Sequence, residues 1–146
     1  MQTKTFLGAL DHERIVMAIR EAEGRSHGEV RVHVSNQKVA DAQAAAQATF
    51  EKLGMTRTDL RNGVLIYVAP RSQSFAVIGD RGIHERCGPA FWTDVAHAME
   101  EDFRAGRFTD GLVKGVARVG DALGRNFPRA EGRVDANELS DEVTED

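Results

Sequence analysis

Three short glycine-bearing segments hold the side chains best suited to chemistry. They are His27-Gly28-Glu29, Asp59-Leu60-Arg61-Asn62-Gly63 and Gly79-Asp80-Arg81-Gly82-Ile83-His84-Glu85. Carboxylates with an amide oxygen on such loops suit a hard cation such as Ca²⁺ or Mg²⁺, whose oxygen ligand sets overlap. A cation held there would polarise a phosphoryl oxygen and orient a water. Glu29 or Asp80 would then ligate it, and His84 or Asp59 would handle protons. A plainer reading stands beside this one. Asn62-Gly63 can be a turn before a strand, and Asp80 can cap the segment that follows it.

Other chemistries have less behind them. Gly79-Asp80-Arg81-Gly82 lacks the Gly-Lys-Ser/Thr ending of a phosphate loop. There is no Gly-x-Ser-x-Gly elbow. Cys87, between Arg86 and Gly88, reads as an inert thiol more readily than as a nucleophile. Trp92 adjoins an apolar helical stripe and reads as core or partly covered surface. His33 and His97 fall on regular elements as solvated or packed imidazoles. No nucleophile with an activating base is legible, so no catalytic residue is assigned, and no motif calls for an organic cofactor.

The elements around these segments follow from hydrophobic period. Leu10–Glu23 reads as a helix, capped by Asp11, with Ile15, Ala18, Ile19 and Ala22 on one face. Glu29–Val34 alternates polar and apolar, the pattern of a strand with one buried face. Val39–Leu53 is an alanine-rich helix stopped by Gly54. Gly63–Ala69 is a continuous apolar run, as in a central strand covered on both faces. Pro70–Gln73 turns the chain into a third strand, Ser74–Gly79. Phe91–Phe103 and Phe108–Phe127 are helical, with Thr109 an N-cap for the second. The first two strands flank a helix, so they should be parallel. The predicted fold is α/β, a three-layer α/β/α sandwich on a small mixed sheet made of a βαβ unit plus an antiparallel hairpin strand. In that topology the starts of strands one and two and the end of strand three share one rim, which collects Glu29, Asp59, Asn62, Asp80, His84 and Glu85. The opposite rim, at Ser35-Asn36-Gln37, offers no acidic group until Asp41. With no fourth strand evident, the third strand is a candidate free edge, and the groove beside it, or the acidic tail, is where a partner protein would engage.

Composition sets the outer limits. The chain has 146 residues, 41% hydrophobic and 29% charged, which fits one globular domain. Residues 1–129 form that domain, and Ala130–Asp146 an acidic tail. The single cysteine excludes an intrachain disulfide and disfavours a Cys/His zinc cage. Net charge is −4. Seven acids and one base in Ala130–Asp146 leave the rest of the chain at +2. Without a basic cluster, nucleic acid is not an expected partner. No apolar run approaches the roughly 18 residues of a membrane span, so no integral membrane segment is expected. With no signal-peptide pattern at Met1–Phe6, the cytoplasm is the expected location. The tail reads as loosely ordered, and its removal should leave thermal stability nearly unchanged.

The motif blocks together resemble the TPM domain family, which groups thylakoid-lumen phosphatase-like proteins, bacterial relatives and an animal membrane modulator. They are Gly28–Val34, Asn62–Ala69, Ile78–Ile83 and Phe103–Leu112, in the family's order, within a match from Asp11 to Phe127. Asn137–Val143 resembles the ending of short cytoplasmic bacterial members. The resemblance implies an α/β/α sandwich, binding of Ca²⁺ or another divalent ion, and weak acid phosphatase activity in the plant branch. In other members it implies an interaction role in membrane-protein repair or assembly. The implied metal residues are Glu29, Asp59, Asn62, Asp80 and Asp110. Arg61 stands where some members carry a polar or acidic residue, and its guanidinium would neutralise a carboxylate and weaken metal binding. The sequence also shows neither the signal peptide nor the anchor of many relatives. The expected function is therefore an interaction or assembly module with a protein partner, with divalent-cation binding at the acidic rim. The alternative is a metal-assisted phosphatase acting on phosphate esters.

Overall fold

The computed structural model of the chain describes residues 1–128 and 143–146. Helices α1 (Thr3–Gly8) and α2 (His12–Gly24) lead into strand β1 (Glu29–Val34). Helix α3 (Ala42–Lys52) connects to β2 (Gly63–Ala69), and a single 3₁₀ turn at Pro70–Ser72 leads to β3 (Ser74–Gly79). Three helices follow: α4 (Arg81–Cys87), α5 (Pro89–Arg104) and α6 (Phe108–Asn126). A two-residue strand, β4 (Thr144–Glu145), completes the sheet. The strand order is β3-β2-β1-β4. β1 is parallel to β2 and to β4, and β2 is antiparallel to β3. Among the described residues no helix is long and apolar enough to cross a membrane.

The apolar residues account for the layers. Val30, Val32 and Val34 of β1 and Val64, Ile66 and Val68 of β2 point to one side. There they meet Ile15 and Ile19 of α2, Val95 and Met99 of α5, and Leu112, Val116, Val119 and Leu123 of α6. Leu65, Tyr67, Ala76 and Ile78 point to the other side, where Ala46 and Phe50 of α3 and Met55 cover them. Burying each large aliphatic side chain contributes about 1.5–3 kcal/mol. The result is an α/β/α sandwich on a mixed open sheet, as the sequence pattern implies.

Close approaches need missing side chains. A Cβ on Gly120 of α6 would lie 2.6 Å from the Cβ of Ala22, so glycine lets α6 seat against α2. At α2 the Asp11 carboxylate accepts from the Arg14 amide at 3.2 Å, the expected cap. Thr109 does not cap α6. That helix starts at Phe108 with no side-chain cap, and the Thr109 hydroxyl accepts from the Asp11 amide at 3.0 Å, tying α6 to α2.

Two further expectations change. β1 is buried on both faces, its polar residues included: Glu29, Arg31 and His33 are 5%, 9% and 4% exposed. Alternation signalled solvent because water is the usual partner of polar side chains, yet here they are covered. The tail differs as well. Of Ala130–Asp146, residues 130–142 lie outside the described residues, but Val143–Asp146 pack on the body and supply β4. The edge of β1 is thereby covered at His33 and Val34, while β3 keeps an edge that no described strand pairs with.

Candidate functional site

The acidic rim forms where the topology places it. Glu29 and Asp80 both flank Gly63: Glu29 is its register partner on β1, and the Asp80 amide donates to the Gly63 carbonyl at 2.8 Å. Asn62 is joined to Glu29 through the backbone, the Glu29 amide donating to the Asn62 carbonyl at 3.4 Å. Glu29 at the start of β1, Asn62 just before β2 and Asp80 just after β3 are thus neighbours, each less than a tenth exposed.

What Asp80 does there is set by Arg61. This residue has φ +51°, a left-handed backbone that turns its side chain back across the end of the sheet. Its Nε donates to one Asp80 oxygen at 2.6 Å and its Nη2 to the other at 2.9 Å. The same carboxylate accepts from the Arg81 amide at 2.8 Å and caps α4. Hydrogen bonding to Asp80 pushes the Arg61 guanidinium above its usual range, against the opposing effect of burial. The sequence-level suspicion of Arg61 and the capping role of Asp80 both describe the observed geometry. A Cβ on Gly82 would stand 2.2 Å from the Leu60 carbonyl oxygen, so glycine allows α4 to close on this loop.

The other expected ligands are dispersed. Asp59 is exposed, as are His84 and Glu85 on α4. The His84 Nδ1 accepts from the Trp92 indole N–H at 2.9 Å, and the two rings stack. Trp92 is half-buried against Gly79, the partly covered placement that its stripe predicts. Asp110 belongs to the other end of the sheet, two residues beyond Phe108 on α6, where it pairs with Arg14 at 3.1 Å. Among the described residues no group of three or more His, Cys, Asp or Glu is placed to hold a metal ion. Asn62 is the residue whose state invites a ligand: it is 1% exposed, and neither atom of its side-chain amide has a hydrogen-bond partner. Cys87 is half-buried, and burial pushes its thiol above the usual range while Arg125 pulls it down, the state of an inert cysteine.

A second feature lies at the opposite end of β3. A groove of about 740 Å³ opens between that strand's start, α1 and α5, within the usual range for ligand sites. Phe75, Phe103 and Phe108 form its floor, with the Phe75 and Phe103 rings edge to face at 5.0 Å. Glu100 and Arg104, paired at 2.6 Å, give it a charged lip. The groove runs beside the edge of β3 that no described strand pairs with. The Asp80–Gly63 bond fixes the alternation, so Phe75, Val77 and Gly79 direct their backbone groups away from β2. Sequence reasoning pointed to the edge and to a groove beside it, but not to the residues that floor it, because Phe75, Phe103 and Phe108 come from three elements. Their only sequence signal was membership in apolar stripes.

Comparison with known proteins is consistent with this architecture. A family model described as the TPM domain matches residues 1–122. The chain is similar to the NMR structure of the BA42 protein from the psychrophilic bacterium Bizionia argentinensis, with 37% identity and a TM-score of 0.83. That match covers 94% of this chain and 95% of the other. The N-terminal domain of the cg2496 protein from Corynebacterium glutamicum has a TM-score of 0.62 at 12% identity, over 88% of this chain and 80% of its own. At that identity the likeness concerns the fold alone. No curated protein matches.

Proposed function

The chain belongs to the TPM domain family, and from that premise we propose that it works as an interaction module. Its reading head is the groove of Phe75, Phe103 and Phe108 with the adjoining edge of β3. The observation that carries this reading is the coincidence of an apolar groove with an unpaired strand edge. An extended partner segment can hydrogen-bond to such an edge while alternate apolar side chains enter the groove. The test is selection of peptides from a displayed library against the chain. Extended sequences with alternating large apolar residues are expected, and their binding should be lost in Phe103→Glu. Peptides that bind Phe103→Glu as well as the native chain would overturn the assignment.

A divalent cation at the acidic rim is a second reading, supported by the unpartnered Asn62 amide beside Asp80 and Glu29. Any cation there has to displace Arg61 from Asp80. Phosphatase action on phosphate esters requires the same cation and follows only if it binds. Titration with Ca²⁺ and Mg²⁺, read by amide NMR, should move Glu29, Asn62 and Asp80, and Arg61→Ala should strengthen the response. A flat titration in both proteins would remove this reading and the phosphatase with it.

A further inference from the structure

Asp146 is held by a set of donors that no motif announced. His33 Nε2 donates to its Oδ1 at 2.5 Å, and the Ser35 hydroxyl donates to its Oδ2 at 2.6 Å. The Asn36 amide donates to Oδ2 at 3.0 Å. Two residues earlier, the Thr144 hydroxyl meets His33 Nδ1 at 2.8 Å and donates to the Val32 carbonyl at 3.4 Å. The His33 ring stacks on Tyr67 at 6.0 Å, so its orientation is fixed by packing. His33 and Ser35 are 4% and 2% exposed. Burial pushes the Asp146 carboxyl up, and the bonds from Ser35, His33 and Asn36 more than reverse this, leaving it below the usual carboxylate range.

The arrangement is a receptor for a strand. The β1 edge supplies backbone pairing along His33 and Val34, and the end of the strand supplies three donors converging on one carboxylate. This is the carboxyl end of the parallel strands, where ligands of open α/β sheets usually lie. The contact holding the chain's own segment is small: β4 pairs two residues only.

We propose that the β1 edge with His33, Ser35 and Asn36 is a docking site for an acidic extended segment of a partner protein with a hydroxyl and a carboxylate two residues apart, and that Thr144–Asp146 occupies it as an internal competitor. Tethering gives the internal segment an effective concentration on the order of millimolar, so a partner at about micromolar concentration must bind roughly a thousandfold more tightly than the untethered segment would, or act when the segment is released. This site is distinct from the β3 groove, and its test does not depend on the groove.

The experiment uses the full chain labelled with ¹⁵N and the acetylated, amidated peptide Val-Thr-Glu-Asp as probe. In the variant Thr144→Ala/Asp146→Ala, the peptide should shift the amides of His33, Ser35 and Asn36. The native chain should need at least tenfold more peptide for the same shift, and adding Ser35→Ala to the variant should abolish it. Shifts at the β3 edge instead, or none at these three amides, would overturn the proposal. So would a concentration-dependent dimer giving the same shifts without peptide, since the site would then serve a second copy. If the double variant loses its dispersed spectrum, the native chain is titrated with excess peptide. Movement of its own Glu145 and Asp146 amides is then the expected result, and their immobility the overturning one.

Discussion

Asp102 illustrates how a single buried carboxylate joins two helices. Its side chain, 6% exposed, meets Arg107 Nη2 and Lys114 Nζ, each at 2.9 Å. The bond from Lys114 lowers its pKa most; burial opposes this, and Arg107 adds to the lowering. The folded-state value is thus below the unfolded one. The stability the group contributes is complete above the unfolded carboxyl value of roughly 4 and drains as pH falls through the folded value. Urea midpoints from pH 7 down to pH 2 should fall more steeply for the native chain than for Asp102→Asn, which starts lower. Parallel curves would contradict the assignment. At Asp80 the expected losses separate by substitution. Asp80→Ala removes the cap of α4, worth about 1 kcal/mol, together with the Arg61 fork. Asp80→Asn keeps an oxygen for the Arg81 amide and should recover most of the capping share in denaturant titration. That Asp80 caps a helix was legible in the sequence. That its other acceptor capacity is taken by Arg61 was legible only as a suspicion, because it depends on the left-handed backbone at residue 61.

Elements fit one another here through positions with no side chain. Gly82→Ala would drive a Cβ to 2.2 Å and 2.6 Å from two carbonyl oxygens of the 60–61 backbone, which cannot swing aside. A cost of about 1–3 kcal/mol is expected from overpacking. Gly24→Ala at the end of α2 meets nothing within 4 Å and should stabilise by about 0.4–1 kcal/mol by restricting the unfolded chain. Equilibrium unfolding of the two variants checks the contrast, and equal midpoints would refute it. The strands β1, β2 and β3 were readable to the residue because each alternating or apolar segment is bounded by turn or polar residues. α1 was not: six residues with two buried side chains carry too little periodicity to be recognised. β4 was not readable either, since two residues have no period at all.

At the scale of the whole molecule, the sheet has one edge covered at His33 and Val34 by its own chain and one that no described strand pairs with. Removing Val143–Asp146 uncovers the β1 edge and leaves the buried His33 and Ser35 without their carboxylate. A loss of roughly 1–3 kcal/mol follows from the hydrogen bonds to that charged group. This reverses the expectation that the tail is dispensable for stability, and a thermal melt of the truncated chain decides it. Amide exchange should also accelerate at Val34, whose N–H faces away from β2, and at Asn36, whose amide donates to the Asp146 carboxylate, before it does in β2, which remains paired on both sides.

The sequence by itself determined the three-layer architecture, the antiparallel hairpin and the rim on which Glu29, Asn62 and Asp80 meet. Those features follow from local period and from the restricted ways in which a β-α-β unit can connect. Tertiary structure alone decided that Arg61 would occupy Asp80, that three phenylalanines would floor a groove, and that Asp146 would reach His33 across 113 positions of chain. The physical reason is the same in each case. Period reports which face of an element avoids water, whereas a polar contact between distant residues depends on where packing leaves a donor and an acceptor, and no local pattern encodes that distance.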